Sequence, residues 1–247
     1  FGFKNKYTHY ELGYDEVMKE KPNYTRYGGV SISYADGDAS YSRGSGDNHS
    51  RAMNFYVTEM GNKGHYLDVV LRFHHIDTNF KMFDENGKKI RGDMHNVGIS
   101  LSSEYGRKKM IDDKGWYIEP QGQLTIGYLG GDNYTTSNGI AVRQGGIRSA
   151  LGRIGFNLGK DIDEKTNIYL KANLLHEFGG GYHAAMADNS GSRIKIDRSF
   201  KDTWFEYGIG AAIQTGTNNH VYLDFERSAG GDFKKDWSWN VGARWTF

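Results

Sequence analysis

The sequence predicts an all-β chain folded as an antiparallel transmembrane β-barrel, and three observations predict it. Apolar and polar residues alternate with a period of two from one end to the other. Aromatic and turn-forming residues dominate, with 34 Gly, 17 Tyr, 13 Phe and 5 Trp against 2 Pro, a balance that favours many strands joined by turns. No stretch approaches the roughly 18 consecutive apolar residues that a spanning helix requires. An apolar fraction of 37% and a mean hydropathy of -0.70 therefore exclude a helical membrane protein. They leave a barrel open, because a spanning strand needs only about 9–11 residues, of which every second one faces lipid.

Taken in order, the alternation predicts eleven strands, at 5–16, 27–36, 50–60, 64–75, 92–107, 115–129, 140–158, 165–178, 203–214, 219–227 and 235–247. In the fifth, Val97, Ile99, Leu101 and Tyr105 share one face, against Asn96, Ser100, Ser102 and Glu104. The sixth places Trp116, Ile118, Leu124, Ile126 and Tyr128 opposite Tyr117, Glu119, Gln121, Gln123 and Thr125. The eighth sets Ile168, Leu170, Ala172, Leu174 and Phe178 against Tyr169, Lys171, Asn173 and Glu177. In the tenth, Val221, Leu223 and Phe225 oppose Tyr222, Asp224 and Glu226. Small residues and single charges on the polar faces fit a hydrated lumen. Aromatics toward the strand ends fit interfacial girdles on a lipid-facing wall.

The connections alternate as well. Residues 61–63, 108–114, 159–164 and 215–218 are short, with 17–26 an exception of ten residues on that side. Residues 37–49, 76–91, 130–139, 179–202 and 228–234 read as longer loops rich in Gly, Asp, Asn and Ser. Short periplasmic turns and long external loops are the habit of outer-membrane barrels. Eleven is an odd number, whereas bacterial single-chain barrels have an even count. One further strand is accordingly expected ahead of Phe1, and 1–247 is expected to be one barrel domain.

Composition limits the chemistry. The 31 basic and 30 acidic residues nearly cancel, which leaves no nucleic-acid footprint. Cysteine is absent, excluding a disulfide framework or thiolate metal site and suiting passage through an oxidising periplasm. The segment 36–47, DGDASYSRGSGD, has spaced carboxylates without EF-hand spacing and reads as a solvated external loop. His74 and His75 are adjacent, point to opposite faces of a strand and are not expected to be co-ligands. No GxSxG elbow, HExxH pair or phosphate-cradling Gly loop appears. No catalytic residue, cofactor or metal site is expected.

Two groups of residues carry the functional reading. The last strand, KDWSWNVGARWTF, aligns Trp237, Trp239, Val241, Ala243, Trp245 and Phe247 on one face. An alternating strand with an aromatic end can be read by strand addition to a sheet edge. Trp239, Val241, Ala243, Trp245 and Phe247 are therefore the expected assembly signal for the barrel assembly machinery. The second group is the set of expected lumen-facing charges: Glu104, Glu119, Arg153, Lys171, Glu177, Glu206, Asp224, Glu226 and Arg244. Carboxylates opposite guanidinium or ammonium groups would brace a barrel wall from within.

GWYIEPQGQLTIGYLGGDNYTTSNGIAV, SALGRIGFNLGK, YLKANLLHEFGG and WNVGARWTF, in that order, resemble the autotransporter β-domain family over essentially the whole chain. The resemblance implies a twelve-stranded barrel in the outer membrane of a Gram-negative bacterium. It also implies a linker helix in the lumen that leads to a secreted N-terminal passenger, so that the barrel serves type V secretion. Its implied partners are outer-membrane lipid, the assembly machinery and its own passenger and linker, with no nucleic acid. The alternatives are an outer-membrane protease or phospholipase, for which Ser102, His183 and Asp188 are the available groups, and a simple porin.

Overall fold

A computed structural model describes residues 3–216 and 219–245. Sixteen strands follow one another: β1 (Phe3–Lys21), β2 (Tyr24–Tyr41), β3 (Gly44–Gly61), β4 (His65–Phe83), β5 (Lys89–Arg107), β6 (Lys109–Met110), β7 (Trp116–Leu129) and β8 (Asn133–Thr135). After them come β9 (Ala141–Gln144), β10 (Ile147–Asp161), β11 (Thr166–Glu177), β12 (Gly181–Ala187), β13 (Arg193–Ser199), β14 (Asp202–Gln214), β15 (His220–Ala229) and β16 (Ser238–Arg244). Every pairing is antiparallel. The main sheet runs β1-β2-β3-β4-β5-β7-β10-β11-β14-β15-β16, with β6 on β7. Each long strand thus pairs with its neighbours in sequence, and eleven long strands make one continuous wall.

That wall is two-sided. Leu101, Leu124, Ile126, Ile154, Leu170, Ile209, Leu223 and Val241 stand exposed on one face of it. Asn54, Asn96, Asn173 and Asp224 are buried polar groups on the other. Water-soluble sheets put their apolar face inside; here it is turned out, as hydrocarbon surroundings require.

Several expected loops are strand instead. The ten residues 17–26 shrink to a turn at Pro22 and Asn23, because Lys21 pairs directly with Tyr24. Proline presets the backbone for such a turn, and its missing N–H is not needed at the bend. The segment 36–47 is not a loop either: Tyr41 pairs with Gly44, so the hairpin turns at Ser42 and Arg43. Residues 76–91 likewise continue β4 and β5 and bend only at 84–88. Polar outward residues there kept the apolar alternation from registering, although the backbone remains extended.

The expected strand at 140–158 is two strands in two sheets. Residues of β9 join β8, β12 and β13 in a second, four-stranded sheet at the long-loop end, in the order β13-β12-β9-β8. The expected loops 130–139 and 179–202 therefore hold regular structure. Two of the bends share one device. The carboxylate of Asp112 accepts the backbone N–H of Lys114 and Trp116 at 2.9 and 3.1 Å, and that of Asp188 accepts those of Ser190 and Ser192 at 2.9 Å each. Three residues after each aspartate, Gly115 and Gly191 take φ of +90°, where a side chain would be strained.

Candidate functional site

The inner face of the wall carries the candidate site, and period-two alternation puts its groups there. Glu104 on β5 meets the Arg153 guanidinium on β10 at 2.5 Å. Arg153 Nε also donates to Gln123 Oε1 at 2.9 Å, and the Tyr66 hydroxyl donates to Glu104 at 2.6 Å. Four strands (β4, β5, β7 and β10) are thereby tied from inside. Further round, the Lys171 ammonium sits between Asp224 at 2.9 Å and Glu226 at 2.8 Å. Lys235, from the loop after β15, bridges Glu206 and Glu226, each at 3.1 Å. These side chains are less than a quarter exposed, so their attraction is screened far less than at a surface.

The other charges are held separately. Glu119 accepts from the side-chain amides of Gln121 at 2.9 Å and Asn157 at 3.1 Å. Glu177 accepts the Ser149 hydroxyl at 2.5 Å and the backbone N–H groups of Ala150 and Gly179 at 2.8 and 2.7 Å. Arg244, on the last strand, reaches Asp15 on the first at 2.6 Å. No Cα of β1 approaches one of β16 within 8 Å. Paired strands stand only about 4.8 Å apart, so the two edges do not pair directly.

Sequence reasoning missed part of this inner lining. Asn54, 1% exposed, donates to Ser31 at 2.8 Å and Glu11 at 3.2 Å and accepts Arg72 Nε at 2.6 Å. It also missed a repeated joint between neighbouring strands. Tyr117 lies over Gly159, Tyr169 over Gly210, Tyr222 over Gly242 and Tyr66 over Gly106, each ring filling the space a Cβ would take. In each case the two residues are register partners. The signal was present as Tyr on polar faces and Gly on the next strand, but it becomes visible only once register is known.

On the outer face, Trp239 pairs with Phe225, Val241 with Leu223 and Ala243 with Val221. Trp239, Val241 and Trp245 are each more than 60% exposed, whereas Phe247 lies outside the described residues. The groups weighed for hydrolysis are not gathered. Ser102 Oγ accepts from Gln123 and Thr125 at 2.8 and 3.0 Å, His183 contacts Asp197, and Asp188 is engaged in its own turn.

Comparison with known proteins gives a consistent result. Residues 1–226 match the family model described as the autotransporter beta-domain. The chain is 31% identical to the pertactin autotransporter of Bordetella parapertussis over 99% of its own length and 26% of that protein's. It is 28% identical to the probable autotransporter YcgV of Escherichia coli over 100% of its length and 25% of that protein's. It therefore spans about a quarter of the length of these curated relatives. Among solved structures, the beta domain of the Bordetella autotransporter BrkA superposes with a TM-score of 0.77 at 23% identity, covering 99% of this chain and 92% of that one. The translocator domain of NalP from Neisseria meningitidis gives 0.75 at 11% identity, with 98% and 80% covered.

Proposed function

We propose, because the chain belongs to the autotransporter β-domain family, that it carries a passenger of its own polypeptide across the outer membrane in which it is anchored. Autotransporter β-domains are outer-membrane translocator barrels of Gram-negative bacteria, and the present chain has that fold and that two-sided wall. The observation that carries the reading is the combination of an apolar exterior with an inner face laced by ion pairs. Hydrocarbon is matched outside and water or a polar peptide inside.

Four finer roles follow from this. The unpaired edges of β1 and β16 leave room for one more strand, which would make the count even and close the ladder. Ion pairs around Glu104, Arg153, Lys171 and Glu226 brace the wall and offer a polar lining to a linker passing through it. Trp239, Val241, Ala243, Trp245 and Phe247 form the segment that the barrel assembly machinery reads by strand addition. The work is non-covalent. Hydrolysis is disfavoured because Ser102, His183 and Asp188 each bond to other partners.

The test is protease shaving of intact cells that produce the full-length gene product with an epitope in its N-terminal region. The epitope is expected at the surface, and only when the barrel is present. An epitope retained in the periplasm beside a correctly inserted barrel would overturn the reading. Single-channel recording separates it from a porin: a lumen crossed by side chains should conduct far less than an open pore.

A further inference from the structure

The geometry points to a divalent transition-metal site of zinc type on the outer wall, formed by His75, Asp77 and His95. His75 and Asp77 are two residues apart on β4 and so share a face, and His95 on β5 is the register partner of Asp77. The three donor atoms lie within 4.8 Å of one another. His75 Nε2 approaches Asp77 Oδ1 at 2.9 Å, and His95 Nδ1 approaches the same oxygen at 2.6 Å. The two imidazole rings are stacked, 6.3 Å between centroids and 22° between planes, and each directs one nitrogen at Asp77 Oδ1.

Donor chemistry selects the ion. Two imidazole nitrogens and one carboxylate oxygen suit Zn²⁺ and its neighbours, whereas Ca²⁺ and Mg²⁺ demand oxygen sets. Ligands about 2.0–2.2 Å from a zinc ion sit roughly 3–3.5 Å apart, so the nitrogens need retract from Asp77 by only a fraction of an ångström. Three protein ligands leave a fourth position open. The place is also suitable. Proceeding toward the long-loop end, Leu67, Val69, Leu71 and Phe73 make the outward side of β4, and the cluster begins one step beyond Phe73. It therefore stands at the water-side edge of the apolar band, with His95 63% exposed to an entering ion. Along the same level Asp36 and His49 form a second pair at 2.8 Å, and His49 is the register partner of Asp77. Arg51, partner of His75, is the facing cation.

The test uses the full-length protein, extracted from outer membranes in detergent and stripped with a chelator. Zn²⁺ alone is titrated calorimetrically at pH 7.5, with Mg²⁺ as control. One zinc equivalent should be lost or weakened at least tenfold in His95→Ala and in Asp77→Ala, and be unchanged in His176→Ala. A second measurement on the wild-type protein removes any dependence on how the variants fold: histidine-directed acylation, mapped by mass spectrometry. Zinc should protect His75 and His95 from acylation and leave His176 reactive, and Mg²⁺ should protect neither. Equal zinc binding in all variants, or acylation of His75 and His95 that zinc does not change, would mean a hydrogen-bonded triad only and would overturn the site.

Discussion

Arg244 and Asp15 are 229 residues apart in sequence and 2.6 Å apart in space. The contact spans the seam between the last strand and the first, where no ladder runs. Asp15 also accepts the Tyr56 hydroxyl at 3.1 Å, and the Arg244 guanidinium lies 5.0 Å from the centre of the Tyr27 ring. One arginine thus leans across the gap onto side chains of β1 and β2. Because Arg244 is 46% exposed, the pair is screened, and a double-mutant cycle of Arg244→Ala with Asp15→Asn should give a coupling of only about 0.5 kcal/mol. Hydrogen exchange is the sharper readout. With residues 1–247 alone, and no added strand between them, amides on the edges of β1 and β16 should exchange much faster than those of β3 and β4, each of which pairs on both sides. Equal protection at the seam would show that the edges are joined.

A different balance holds at Lys171. Its ammonium neutralises Asp224 and Glu226, and all three side chains are at most 17% exposed. Replacing it by Met would leave two carboxylates facing each other with little water to separate them. Breaking such a pair costs about 3 kcal/mol, part of which Lys235 offsets by staying on Glu226 at 3.1 Å. Urea unfolding in detergent should show Lys171→Met clearly less stable than Lys171→Arg. Equal stability of the two would remove the inner ion pairs from any bracing role.

The joint of Tyr117 with Gly159 makes a packing prediction. Tyr117 is 4% exposed, and its ring covers the Gly159 backbone. Gly159→Ala should therefore destabilise the barrel by about 1–3 kcal/mol through overpacking. Gly122 is a control, since an added Cβ there meets nothing within 4 Å. Thermal unfolding of the two alanine variants side by side checks the contrast.

Those contrasts also explain what was readable in the sequence. Alternation located the eleven long strands and put Glu104, Arg153, Lys171 and Glu226 on one face, because a period of two needs no knowledge of partners. Partner identity needs register, which is why Asn54, Asp15 and the tyrosine–glycine joints did not stand out. Strand ends were harder again. Beyond the bilayer the outward side chains need not be apolar, so the outer parts of β2 to β5 read as loop although their ladders continue. The second sheet was hidden for a related reason: β8, β9, β12 and β13 are short, with 3, 4, 7 and 7 residues, and stand among Gly, Asp, Asn and Ser that read as loop.

The turn at Asp188 should keep its charge into mild acid. Hydrogen bonds from Ser190, then the backbone N–H of Ser192, hold the Asp188 carboxyl below the ordinary carboxylate range. A depressed folded value means that the stabilisation is complete above the unfolded value of about 3.9 and is lost as pH falls through the folded one. Carbon-detected titration should place the Asp188 midpoint below that of an unfolded peptide, and Ser190→Ala should move it up. A Ser190→Ala midpoint identical to wild type would remove the hydroxyl as the cause.

Ile154 tests the orientation of the wall as a whole. It lies at the middle of β10, 64% exposed, with Gly122 and Leu174 as register partners on either side. In water an exposed isoleucine replaced by arginine would change stability little, because the new charge is solvated. At the centre of a bilayer the same change costs about 2–4 kcal/mol. Ile154→Arg should therefore fold poorly into lipid vesicles, while Arg148→Ala, at the long-loop end of the same strand, should insert like wild type. The solvent thus decides between an outward-facing apolar band and a coincidental one. Equal insertion of Ile154→Arg and wild type would mean that this face does not meet hydrocarbon, and the barrel reading would fail with it.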